Sequence, residues 1–271
     1  MNLDNDLVQK MHDLWKDARG DDRREHLGAS VIGRECDREI WYGFRWAKTG
    51  AFDGRMLRLF DRGKREEIVV LFELASCGIK IRNEDGVQER FSDHGGHFCG
   101  SPDAIGVKDG RAFVVEIKTA NDKSWNDLHK NGVAESKPEH FCQMQVYMGE
   151  MKIPKALYIS VNKNTDEIHA EWVEFDKDAY NALRQRAREL IFSAMPPERM
   201  SDNPANFKCK FCGMWPICHG GEPVEKNCRT CTFSVRLEEG GWRCVKRKID
   251  LDRAAQVAGC EDWKNVAEVP F

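Results

Sequence analysis

The chain has 271 residues, a formal charge of −3, 32% charged and 41% hydrophobic side chains, and eleven cysteines. No apolar run reaches the roughly 18 residues that a membrane-spanning helix needs, and the polar opening MNLDNDLVQKMHDLWKDARGDDRREH lacks the apolar stretch of a secretory leader. An integral membrane transporter and a secreted disulfide scaffold are thereby set aside, and an intracellular protein of one large domain, or one domain with a small appendage, is expected.

The first 26 residues read as an exposed helix, with Leu7, Val8, Met11, Leu14 and Trp15 at helical spacing. Ser30 suits the cap of a helix over 32–46, though Gly33 and Gly43 interrupt it. Residues 55–77 predict a second helix whose buried face holds Met56, Leu59, Phe60, Ile68, Val69, Leu71 and Phe72. Across 34–65, nine basic residues stand against five acidic ones, with Trp41, Tyr42, Phe44 and Trp46 interleaved. Arginines beside aromatics can grip phosphates and stack bases, and an amphipathic solvated helix fits equally well.

The period then changes. Strand-like runs at 78–82, 87–91, 97–100 and 112–118 are separated by turn signals at 84–86, 93–96 and 108–110, which suggests consecutive hairpins. Pro138 starts a helix over 138–151. Strands follow at 156–161 and 168–175, and Asp176 caps a helix with Tyr180, Leu183, Ala187, Leu190, Ile191 and Ala194 on one stripe. Pro196 and Pro197 end it, and beyond about 205 the chain is loop-like and cysteine-rich.

Within this pattern, HFCGSPDAIGVKDGRAFVVEIKTA places Asp103 before one strand and Glu116 and Lys118 in the next. Residues i and i+2 of a strand share a face, so Glu116 and Lys118 point together while Ile117 points to the opposite side. A hairpin of this length brings Asp103 beside Glu116. Two converging carboxylates suit Mg²⁺ or Mn²⁺, and a nearby lysine can orient water or offset developing charge. An Asp–Lys–Glu ion-pair cluster on a solvated sheet face is the bland alternative.

Pro102-Asp103 followed by Glu116-Ile117-Lys118 resembles the core signature of the PD-(D/E)xK nuclease superfamily. The resemblance implies an α/β fold, a restriction-endonuclease-like mixed sheet flanked by helices, and Mg²⁺- or Mn²⁺-dependent cleavage of DNA. Gly63-Lys64-Arg65-Glu66-Glu67 matches the G-x-x-x-E form of the family's helical first motif. By that match Glu67 would join Asp103 and Glu116 at the metal, with Glu66 as its rival. Gln143-Met144-Gln145-Val146-Tyr147 matches the Q-x-x-x-Y motif of the RecB-like and lambda-exonuclease-like branches. Gln143 and Tyr147, one helical turn apart, would contact DNA or buttress Lys118. Many RecB-like members carry a histidine where Glu67 stands, so the carboxylate tilts the resemblance toward phage-type exonucleases.

Two cysteine constellations follow. Cys209, Cys212 and Cys218 form a three-thiol loop that needs a fourth ligand, for which His219 and the distant Cys36 are candidates. The pattern is similar to the iron–sulfur nucleases of the RecB-like group, AddB-type and CRISPR-associated adaptation nucleases among them. That similarity implies a structural 4Fe–4S cluster held by Cys36, Cys209, Cys212 and Cys218, with Zn²⁺ as the alternative. Cys228 and Cys231, then Cys244 and Cys260, suggest a small zinc module whose basic surroundings could add a DNA contact. Cys77, Cys99 and Cys142 read as buried packing thiols. His94, His97, His129 and His140 read as satisfied or surface histidines, with His140 one turn from Met144 and within reach of the site.

The expected organisation is a nuclease domain over 1–205, with a helical segment over 1–77 and a core over 78–195, and a cysteine-rich metal-binding region over 206–271 whose opening stretch closes onto Cys36. The expected activity is that of a phage-type exonuclease in recombination or DNA processing, in the cytoplasm (the host's, if phage-encoded). Arg34, Arg38 and Arg45 are expected phosphate contacts. DNA is the expected partner, together with a recombination or single-strand-binding protein. A structure-specific endonuclease and a non-catalytic DNA-binding or assembly protein are the competing readings.

Overall fold

The computed structural model describes residues 4–18, 20–21, 23–50, 52–82 and 88–268. In chain order the elements are α1 (Asn5–Asp17), β1 (Leu27–Gly28), α2 (Asp37–Phe44), α3 (Gly54–Ser76), β2 (Lys80–Ile81), β3 (Phe91–Asp93), β4 (Phe98–Gly100), β5 (Ala104–Lys108), β6 (Arg111–Ala120), α4 (Asp122–Ser136), α5 (Pro138–Met151), β7 (Lys155–Asn162), β8 (Ile168–Glu174), α6 (Lys177–Phe192), α7 (Phe207–Lys210), α8 (Trp215–Cys218), β9 (Ser234–Arg236), β10 (Trp242–Cys244), β11 (Ile249–Leu251) and α9 (Arg253–Ala258). They fall into two compact units.

The first unit comprises 1–22, 51–90 and 101–176. Its sheet has the order β2-β5-β6-β7-β8, antiparallel throughout except for the parallel pair β6–β7. A parallel pair needs a long crossover, and α4 and α5 supply it. β7 is buried along nearly its whole length, as a strand covered on both faces must be, whereas β8 alternates and forms the edge. One face packs Val115, Ile117, Leu157, Ile159 and Val161 against Val70 of α3. The Asp53 carboxylate accepts the Met56 amide at 2.7 Å and starts α3. Close to that cap, a Cβ on Gly54 would lie 2.1 Å from the His12 carbonyl oxygen, so only glycine lets α1 approach α3 there.

The mixed sheet flanked by helices is the expected fold, and α5 spans the expected residues. The buried face of α3 is not the expected one. Ile68 and Phe72 are 68% and 73% exposed, while Leu57 and Val70 are buried. α4 has no counterpart among the elements expected from sequence. The strand expected at 87–91 begins only at Phe91, and Val87 with the turn at 84–86 lies outside the described residues.

The second unit comprises 23–50, 91–100 and 177–271. β1 runs parallel to β4, and β3 and β4 form a hairpin. The expected helix over 32–46 is a short 3-10 turn at Ala29–Val31 followed by α2. Trp41, Tyr42, Phe44 and Trp46 are all at most 4% exposed and build the core with Phe98 and Trp242. They are packing residues, not base-stacking platforms. β9, β10 and β11 form a separate antiparallel sheet in the cysteine-rich region.

Candidate active site and cysteine centres

Asp103 directly precedes β5. The register pairs Ala104 with Val115, and one further step sets Asp103 opposite Glu116. Asp103 Oδ2 accepts the Ile117 amide hydrogen at 2.6 Å, so the acid is pinned to the strand it faces. Ile117 belongs to the apolar cluster on the α3 side, and strand alternation turns Glu116 and Lys118 the other way. Lys118 Nζ pairs with Glu116 Oε1. Glu116 is completely buried, and its Oε2 has no hydrogen-bond partner among the described residues.

The electrostatics show the same convergence. Burial and then the Asp103 charge push Glu116 up to about 8, against the pull of Lys118. Burial and then Asp103 push Glu67 up to about 7, which places the α3 carboxylate at the same centre. Burial also raises Asp103, opposed by Lys118 and by the Ile117 amide. Burial alone would lower Lys118, but Glu116, Asp103 and Glu67 outweigh it and raise the ammonium. Three carboxylates strained by desolvation around one orphaned oxygen form a donor set that a hard divalent cation would relieve.

α5 supplies a third wall. Gln143 and Tyr147 are 6% and 3% exposed, and Gln143 Nε2 donates to Tyr147 Oη at 3.0 Å. Gln145, on another face, serves the fold: it donates to the Glu174 carbonyl and accepts the Asp176 amide. One turn before Gln143, His140 Nδ1 lies 2.8 Å from Tyr158 Oη. Tyr158 pairs in register with Glu116 across β6–β7, so both side chains share a face. Burial, then Lys118 and Lys137, lower His140 to about 3. Sequence reasoning favours a satisfied or surface role for His140 and misses Tyr158. The signal for the tyrosine is an aromatic hydroxyl inside the apolar run 156–161.

The expected phosphate contacts are placed differently. Arg45 is 1% exposed and donates to the carbonyls of Arg229 and Ser193 at 2.7 and 3.1 Å. Buried in this way, it serves the fold and presents nothing to DNA. Arg38 donates to the Pro197 carbonyl and to Tyr42 Oη, and Arg34 pairs with Glu39 at 2.7 Å. Cys99 is buried as expected, but Cys77 is exposed.

The cysteines of the first constellation gather within the second unit. Burial and then the neighbouring Cys36 and Cys218 raise the Cys209 thiol. Burial, with smaller contributions from Glu39, Cys36 and Cys218, raises Cys212 to about 11. His219 Nε2 is buried with no partner among the described residues, so the histidine also stands as a candidate donor. Among the described residues, no three His, Cys, Asp or Glu side chains already form a ligand shell around a metal-sized centre.

The mixed sheet thus brings Asp103, Glu116 and Lys118 together from adjacent strands. The family model of the PD-(D/E)XK nuclease superfamily matches residues 6–219, and the chain belongs to that superfamily. Its general activity is therefore that of a nuclease, in a family that acts on DNA with divalent metals. No curated protein matches the chain. Among solved structures, SSO0001 superposes with a TM-score of 0.51 at 15% identity, covering 80% of this chain and 97% of that one, a likeness of fold. An alkaline exonuclease from Laribacter hongkongensis gives 0.44 at 16% identity over 66% and 90% of the two chains. A phage-related exonuclease from Haemophilus somnus gives 0.40 at 15% identity over 60% and 78%. The last two overlaps are too loose to bear on mechanism. The described helices include none long and apolar enough to cross a membrane.

Proposed function

We propose that this chain is a Mg²⁺- or Mn²⁺-dependent deoxyribonuclease that digests DNA from its ends, as a phage-type exonuclease in recombination or DNA processing. The observation that carries the reading is the buried, unpartnered Glu116 Oε2 beside Asp103, Glu67 and Lys118. Glu67, Asp103 and Glu116 would hold the cation, which supplies polarisation of a phosphoryl oxygen and acidification of water. Lys118, with 27% of its side chain exposed, can face a phosphodiester while still tied to Glu116, and there it orients the attacking water and offsets developing charge. Gln143 and Tyr147 stiffen the α5 wall beside it.

The gathered thiols of Cys209, Cys212 and Cys218 with Cys36 support a further element of the reading, a 4Fe–4S cluster that ties the early and late segments of the second unit together, with Zn²⁺ as the alternative occupant. All-thiolate ligation accommodates either. The setting would be a cytoplasm, the host's if the chain is phage-encoded, with a single-strand-binding or recombination protein as partner.

Time-resolved digestion of end-labelled linear DNA, single- and double-stranded, beside closed circles tests the activity. Linear DNA should be degraded only with Mg²⁺ or Mn²⁺, circles should survive, and Asp103→Ala and Lys118→Ala should be inert. Nicked or linearised circles would make the enzyme an endonuclease. DNA that is bound but left intact by the wild type would favour the binding-protein reading. For the cluster, anaerobically purified protein should be brown and lose its colour in Cys36→Ser; a colourless protein with stoichiometric zinc at those four residues would replace iron with zinc.

A further inference from the structure

The proposed reaction uses none of the four cysteines near the end of the chain, yet the second unit brings them together. They lie on three backbone segments placed side by side. The first is the 3-10 turn Cys228–Thr230, closed by reciprocal hydrogen bonds between Asn227 and Thr230, with the Cys231 amide donating back to the Cys228 carbonyl at 3.1 Å. The second is the end of β10, where Cys244 pairs with Ser234 of β9 and the Val245 amide donates to the Phe233 carbonyl at 2.9 Å. The third follows α9: Cys231 bridges to Asn265, and the Thr232 amide donates to the Lys264 carbonyl at 3.0 Å. Trp263 folds back onto the Cys260 carbonyl at 3.3 Å. The second and third segments are tied by Arg247 to Asp262 at 3.0 Å. Each segment is thus fastened to a neighbour, and each carries at least one thiol.

The Arg247 amide points at Cys244 Sγ at 3.5 Å, in a turn whose Lys248 has a φ of 56°. All four cysteines are free. Cys228 Sγ lies 3.3 Å from the carbonyl oxygen of Ala255 in α9, the helix that leads into Cys260. The surrounding sheet has strands of only three residues, with Trp242 and Leu251 among its few buried apolar side chains. Through Trp242 the sheet packs on Phe44 and His97, and a metal staple would add a second anchor at the end of these short strands where the cysteines lie.

We propose that Cys228, Cys231, Cys244 and Cys260 bind one zinc ion as a structural site, separate from the Cys36, Cys209, Cys212 and Cys218 centre. Four thiolates close a tetrahedral shell with no open position, so the ion stabilises the fold and takes no part in hydrolysis. Binding releases the thiol protons and couples the stability of the β9–β11 region to zinc.

The experiment is a metal count on the full-length chain. Cys209→Ser/Cys212→Ser removes the other thiol centre and should retain one zinc per chain, while Cys244→Ser/Cys260→Ser should lose one zinc per chain relative to wild type. If the latter variant is insoluble, two measurements on soluble protein decide. Cobalt-grown Cys209→Ser/Cys212→Ser should show thiolate-to-cobalt charge-transfer bands, and Cys260→His in the same background should keep the metal and shift those bands. The proposal is overturned by an unchanged zinc count in Cys244→Ser/Cys260→Ser, by four freely reactive thiols and no zinc in the native protein, by disulfides among the four, or by iron in their place.

Discussion

The Ile117 amide donates to Asp103 Oδ2 across 2.6 Å, so one acid both fixes the β5–β6 register and stands at the carboxylate centre. The two roles can be separated. Asp103→Ala leaves a partly buried amide without its acceptor, which costs about 1–3 kcal/mol and should lower the melting temperature. Asp103→Asn can still offer a carbonyl oxygen to that amide but carries no charge. It should melt within a few degrees of wild type and cleave DNA at least about 100-fold more slowly, the order of losing one electrostatic contact in an active site. Calorimetry paired with a digestion assay measures both. An asparagine variant as active as wild type would remove Asp103 from the cation site.

Glu116 and Glu67 give the enzyme a pH dependence of definite sign. Both are raised, to about 8 and about 7, by burial first and by Asp103 next, with Lys118 opposing. A raised carboxyl binds its proton more tightly folded than unfolded. Its contribution is fully present below the ordinary carboxylate range and is lost as pH rises toward 8. Below about pH 6.5 the lowered His140 adds a rise of the opposite sign, so in chelator the melting temperature should fall between about pH 6.5 and pH 8. Glu116→Gln should flatten that slope, since a neutral amide has no proton to lose. Mg²⁺ or Mn²⁺ should offset the fall at the alkaline end, where the cation replaces the proton, and DNA cleavage at limiting metal should rise over the same interval. A melting temperature that climbs between about pH 6.5 and pH 8 in chelator would contradict the buried carboxylate centre.

The regions of the fold that are legible in sequence are those where local chemistry and tertiary demand agree. Pro138 at the first turn and Lys152 in a left-handed cap bound α5 where the sequence places it. Asp103, Glu116 and Lys118 can be placed because a tight hairpin leaves little freedom in register. α4 escapes because Gly132, with a φ of 76°, breaks its period, and the Val133 amide is held by Glu171, a residue 38 positions on. The buried face of α3 is misjudged because apolar residues cover more than one stripe of the helix, and which stripe the sheet covers is a tertiary decision. β9–β11 escape because three residues per strand carry no readable alternation.

Gln143 and Tyr147 form a buried pair whose hydroxyl can be removed alone. Tyr147→Phe takes away the acceptor of Gln143 Nε2 at 3.0 Å and leaves a buried amide donor short of one bond. The expected cost is about 1–2 kcal/mol of stability. If the pair only packs, turnover at a temperature well below melting stays unchanged. If it positions the wall beside Lys118, turnover falls several-fold while the dependence on metal concentration keeps its midpoint. Titrating Mn²⁺ against the initial rate of both proteins separates the two.

Arg45 shows how burial overrides residue type. Its guanidinium lies 4.4 Å from the Trp41 ring centre and 5.6 Å from that of Trp242, with Arg229 and Ser193 carbonyls as acceptors. Burial, then repulsion from Arg236 and Arg229, holds its pKa well below the usual arginine value. The charge is thus held by carbonyl dipoles and aromatic faces, with cations nearby. Arg45→Ala removes the stacking and both carbonyl ties and opens a cavity, at a cost of about 3 kcal/mol or more; Arg45→Met refills much of the volume without a charge to desolvate and should cost clearly less. A phosphate contact would behave otherwise: either substitution would reduce the salt dependence of DNA binding by about one unit of slope. The expected result is a lower unfolding midpoint, larger for alanine than for methionine, with the salt slope of DNA binding unchanged in the folded methionine variant. A shallower slope with an unaltered midpoint would return Arg45 to the DNA surface.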